Sequence, residues 1–220
     1  MLLKRLVSVI WMTGLLILPA FAQTPRPTPL SVENGNLVLL ALDQQLALPL
    51  PDWLELDGAG PDAILDRMSV QFSEDASEAR LELYPRGEGE ALWTRLYGAR
   101  LFRQPNLSLT DLRSVIINVY ARACRPDAVA LFQLEPDNGE DIPPLGFVCG
   151  AYLDLPGYAG QGEVMLARFV RSETGAAMVY QEWRGAAFDT ADPASWPISA
   201  AQIEQRVEEF KSAAGIIAAD

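Results

Sequence analysis

Two rhythms of apolar residues run along this 220-residue chain. The first has the three-and-four spacing of a helix. Leu112, Val115, Ile116, Val119, Tyr120 and Ala123 fall on one face of a helix expected over 108–124. Ser108 with Asp111 three residues on resembles a capping box, with Thr110 as a competing N-cap. Arg122 and Arg125 suit the negative end of the helix dipole, and Pro126 stops propagation. The same spacing returns at Ile203, Val207 and Phe210, predicting a helix over 199–214 opened by Ser199 and Gln202.

The second rhythm is one of short apolar runs rich in β-formers. Strands are expected over 37–42, 45–50, 68–72, 80–84, 92–102, 128–134, 146–153, 163–171 and 176–184. The run 92–102 carries both patterns, but Trp93, Thr94, Tyr97, Phe102 and the internal Gly98 favour a strand. The nearly all-apolar run 163–171 reads as a central strand. Segments 85–89, 135–144, 156–162 and 188–197 read as turn, acidic loop, glycine-rich loop and a coil anchored by Trp196. Strands, a central helix, more strands and a closing helix give an α+β fold, a mainly antiparallel sheet flanked by helices, in one domain over 37–214.

The N-terminus lies outside that domain. Lys4 and Arg5 precede an apolar core over 6–18, and Ala20-Phe21-Ala22 places small residues where a signal peptidase reads. The expectation is a signal peptide over 1–22, cleaved between Ala22 and Gln23, and a periplasmic or secreted product. A membrane anchor is the alternative, although the apolar core falls short of the roughly 20 residues of a span. Pro25, Pro27 and Pro29 make 23–36 an extended tether.

Charge and composition then exclude whole chemistries. Cleavage removes Lys4 and Arg5 from 17 basic residues and none of the 29 acidic ones, leaving 15 − 29 = −14. No basic run interrupts that acidity, so neither nucleic acid nor stable insertion in a membrane is expected. Arginine in place of lysine fits a GC-rich bacterial genome. Histidine is absent, which removes the usual general base, the commonest metal ligand and the usual partner of a nucleophilic Ser or Cys.

Candidate chemistry is correspondingly thin. Cys124 and Cys149, the only cysteines, are expected to form a disulfide in an oxidising compartment; two buried thiols or a redox pair are the alternatives, and no C-x-x-C is present. The loop of Glu135, Asp137, Asn138, Glu140 and Asp141 lacks EF-hand spacing and reads as solvated. Alternation along 176–184 puts Tyr180, Glu182 and Arg184 on one face and Val179, Gln181 and Trp183 on the other, so the first three are candidates to line a ligand groove. A solvent face is the plainer reading of that row. Carboxylates are too numerous for any pair to stand out, and no catalytic residue, cofactor site or metal ligand emerges.

Leu48-Pro49-Leu50-Pro51-Asp52-Trp53, a strand running into a Pro–x–x–Trp-like turn, together with the element order, resembles the Mog1- and PsbP-like α/β/α sandwiches. That resemblance implies a binding or accessory module, with no catalytic residues to carry over. The function expected is therefore a non-catalytic periplasmic accessory or binding module whose partner is an envelope protein or a small ligand. A carboxylate-based envelope hydrolase and a structural subunit of an envelope complex are the alternatives.

Overall fold

The computed structural model describes residues 29–217 except 56–57, 139–141, 155 and 172–173. The expected signal peptide, its cleavage site and residues 23–28 of the tether lie outside the described residues. The tether ends earlier than expected. β1 (Leu30–Glu33) pairs antiparallel with β2 (Asn36–Ala41), and β2 with β3 (Gln44–Leu48). Asn34 and Gly35 join the first two strands with φ of 50° and 81°, the left-handed pair that a two-residue hairpin turn requires.

Beyond β3 the Pro-rich turn docks rather than hanging free. Asp52 accepts hydrogen bonds from the Gln181 amide and from the Trp183 indole, the latter at 2.7 Å. A short helix, α1 (Pro61–Leu65), leads into the main sheet.

Two antiparallel meanders make up that sheet. The first comprises β4 (Met68–Glu74), β5 (Glu78–Pro85) and β6 (Arg95–Phe102). The strand expected over 92–102 starts only at Arg95, because Leu92 pairs locally with Gly89 in a tight bridge. α2 (Leu109–Ala121) then carries the chain to the far edge. The second meander returns through β7 (Val129–Gln133), β8 (Leu145–Cys149), β9 (Gln161–Arg171) and β10 (Ala176–Ala186). β10 pairs antiparallel with β6, so the strand order is β4-β5-β6-β10-β9-β8-β7 and the two meanders meet mid-sheet. α3 (Ala200–Ala213) follows, and β11 (Gly215–Ile217) extends the first sheet by pairing with β3, three residues past the expected domain end.

Alternating side chains divide the core between the two faces of the main sheet. Leu81, Leu83, Tyr97, Val179 and Leu166 face α3 and the four-stranded sheet, in one cluster with Leu37, Leu46, Val207 and Phe210. Tyr84, Leu96, Phe147, Met165 and Tyr180 face α2, packing with Leu109, Leu112 and Ile116. The result is an α+β fold of mainly antiparallel strands with the two long helices on opposite faces of the main sheet. Among the described residues no helix is long and apolar enough to cross a membrane.

α2 obeys its sequence signals at the start. The Ser108 hydroxyl accepts from the Asp111 amide, and at α3 Ser199 and Gln202 form the full capping box. The expected apolar face is too wide, however. Val115 and Val119 are 57% and 53% exposed, because α2 touches the sheet along a narrower stripe. The helix also stops at Ala121. Cys124 lies beyond it in a bridge to Tyr152, and the strand expected to run to Leu153 ends at Cys149.

Candidate functional site

Between the C-terminal turn of α2 and the seam of the two meanders lies a cavity of about 390 Å³. The register of the sheet places its polar groups. Cys149, Glu163 and Arg184 are direct cross-strand neighbours on β8, β9 and β10. One row along stand Phe147, Met165, Glu182 and Leu96. The next row carries Tyr180, Gly98 and Glu82. Gly98 is needed because the Tyr180 ring lies across it: a Cβ at this position would sit 2.5 Å from the ring. The same device recurs where Phe132 of β7 covers its partner Gly146 on β8.

Three buried glutamates occupy the site, each with its own tyrosine. Tyr84 donates to Glu82 Oε2 at 3.0 Å, Tyr120 of α2 donates to Glu182 Oε1, and Tyr152 donates to Glu163 Oε2. Arg80 closes the remaining oxygen of Glu82. Glu163 and Glu182 are only 2% and 4% exposed, yet both line the cavity. Among the described residues, Glu163 Oε1 and Glu182 Oε2 have no hydrogen-bond donor.

Arg184 stands between these acids with its side chain 8% exposed. Its Nη2 is 3.7 Å from Glu163 Oε2 and donates to the Tyr152 hydroxyl at 3.4 Å, while Nε is buried without a partner. Its guanidinium carbon lies 3.5 Å from the Trp93 ring centroid and 4.6 Å from that of Tyr158, a cation held between aromatic faces. Tyr158 in turn meets Tyr152 edge-on.

Crowding these charges in a low-dielectric space shifts their titration. Burial pushes the Glu182 carboxyl well above its ordinary range and the nearby Glu163 raises it further, against the Tyr120 hydrogen bond and Arg184. Burial also raises Glu163, opposed by Tyr152 and Arg184. Tyr120, Tyr152 and Tyr180 are likewise raised, by burial first and then by the neighbouring glutamates, so their hydroxyls remain protonated donors.

A disulfide joins Cys124 to Cys149, whose Cα atoms are 5.7 Å apart. Two backbone bonds flank it, Arg125 N to Ala151 O and Leu153 N to Ala123 O, both 2.9 Å. Together they lock the end of α2 and the Tyr152 segment to the sheet beside Glu163. The clamp therefore positions two of the three tyrosines.

Of the groove candidates, Glu182 and Arg184 line the cavity, and Tyr180 lies beneath it, buried across Gly98. Glu82, Glu163, Trp93, Tyr120, Tyr152 and Tyr158 were not singled out from the sequence. Glu163 did carry a signal there, since a charged residue opening an apolar central strand must find partners. In the acidic loop, Asp137 makes a two-pronged contact with Arg113 at 3.0 and 2.8 Å, and Glu135 pairs with Lys211. Among the described residues no group of His, Cys, Asp or Glu could hold a metal ion. Comparison with known proteins gives no match to a family model, to a curated protein or to a solved structure.

Proposed function

We propose that this chain is an exported, non-catalytic binding module whose small ligand occupies the cavity between α2 and the β6–β10 seam. The observation that carries the reading is the pair Glu163 and Glu182, each nearly inaccessible and each keeping one oxygen free on a shared aromatic-walled cavity. Carboxylate oxygens that open on a cavity accept hydrogen bonds from a bound molecule that carries donors. A volume of about 390 Å³ suits a small organic molecule rather than a polymer segment. Export is supported by the N-terminal signal pattern and by the disulfide, which favours an oxidising compartment. Element order and the Leu48–Trp53 turn support a Mog1- or PsbP-like module by analogy.

Val119 stands at the cavity wall yet is largely exposed, so Val119→Trp would fill the space without touching the core. Native mass spectrometry of protein recovered from its own cell envelope should show a small-molecule adduct that V119W lacks. An unliganded wild type, or an adduct that survives in V119W, would contradict the reading.

A second reading, a carboxylate-based hydrolase, is favoured by one feature: two neighbouring buried carboxyls, of which burial raises Glu182 well above its ordinary range, form an acid–base pair. Release of reducing ends from envelope polysaccharide, abolished by both Glu163→Gln and Glu182→Gln, would establish it. Intact polysaccharide would dismiss it.

A further inference from the structure

We infer that the cavity selects a small organic cation, a primary amine or diamine, over neutral and anionic molecules of the same size. The inference rests on the binding reading above and adds the chemical class of ligand. Its first ground is the donor–acceptor inventory. The hydroxyls of Tyr84, Tyr120 and Tyr152 are already spent as donors to glutamates, and the oxygens of Glu163 and Glu182 that these bonds leave open accept hydrogen bonds when the carboxyls are ionised. An ammonium offers three donors to those oxygens together with a positive charge, which a hydroxyl lacks.

The second ground is charge. Glu82, Glu90, Glu163 and Glu182 line the space against Arg80 and Arg184. Two of these acids are deeply buried beside each other, and a cation bound at their open oxygens adds to the relief that Arg184 already gives them. The third ground is the wall itself. Arg184 between Trp93 and Tyr158 demonstrates that these ring faces already stabilise a cation in this structure.

Cation binding should be linked to a proton. The groups facing Glu182 are Tyr120 from α2, Glu163 from β9, Tyr180 and Arg184 on its own strand, and Glu82 from β5. An ammonium favours the ionised carboxylate, so its arrival lowers the titration that burial raises and releases a proton wherever Glu182 is still protonated. Affinity then rises with pH through the Glu182 titration.

Three probes of equal length separate the possibilities: 1,5-diaminopentane, 1,5-pentanediol and pentanedioate. Each is titrated into the mature protein, with the Trp93 indole NMR signal reporting the cavity and calorimetry in two buffers counting protons. The diamine should bind at least tenfold tighter than the diol, release a proton on binding, and lose tenfold or more with Glu182→Gln. Pentanedioate should leave Trp93 unmoved. V119W leaves surface charge unchanged and should abolish the diamine effect; equal binding by V119W places the diamine on the acidic surface and overturns the inference. Diol or pentanedioate binding at Trp93 as tightly as the diamine overturns cation selection and leaves the cavity as a binding site. No response at Trp93 to any probe overturns both.

Discussion

Glu182 concentrates the electrostatic tension of the molecule in one side chain. Its carboxyl titrates higher in the folded state than in the unfolded chain, so the folded state binds more protons between those two pKa values. Stability is fully present below the ordinary carboxylate range and falls as pH rises through the folded pKa. Urea denaturation should therefore show stability declining as pH rises above the ordinary carboxylate range, with Glu182→Gln flattening the decline and exceeding the wild type at the upper end of it. A variant with an unchanged slope would mean that other groups set it. Gly98 tests the packing beneath. A methyl there would meet the Tyr180 ring at 2.5 Å, and Gly98→Ala should cost about 1–3 kcal/mol by overpacking, read as a lower urea midpoint at constant m. Neither role was visible in the sequence. Glycine in a strand signals a close approach without saying by what, and alternation makes Glu182 a groove candidate without showing that α2 buries it.

At the scale of elements, α2 and its clamp tie the fold to the site. Periodicity located the helix and its Ser108 start, because local hydrogen bonding and a buried stripe are encoded within a few residues. The width of the stripe was not encoded. Val115 and Val119 satisfy helical spacing but lie outside the band that touches the sheet. The Asn34-Gly35 turn was legible as a hairpin signal but was subsumed by the adjacent prolines. The cysteine pair was legible because composition left a single possible bridge. Replacing both Cys124 and Cys149 by Ala should lower stability by about 3–4 kcal/mol through loop-closure entropy. Because the bridge anchors Tyr120 and Tyr152, amide exchange should quicken at 120–124 and 151–153 more than in central β10. Uniform acceleration across the sheet would show that the clamp has no local role.

The whole molecule explains why the site itself stayed hidden. Its acids come from β5, β9 and β10, its tyrosines from β5, α2 and the loop after β8, and its aromatic wall from segments before β6 and β9. Only the return of the second meander beside the first brings Glu82, Glu163 and Glu182 within reach of one another. Strand alternation exposed the Tyr180–Glu182–Arg184 row because that information is local. The pairing of β10 with β6 is not local, and no spacing in a single chain specifies it. The α+β class could be read from element order, whereas the second small sheet depended on two short strands at the ends, β1 and β11.

The central claim is that Glu163 and Glu182 are two buried carboxylates converging on one cavity. Carbon NMR of the glutamate Cδ signals, titrated with pH and assigned by Glu→Gln variants, tests it most directly. Glu182 should titrate well above the exposed glutamates, and Glu163→Gln should bring it down, since the neighbouring charge is part of what raises it. Two carboxyls titrating with the surface glutamates, each indifferent to replacement of the other, would contradict the account.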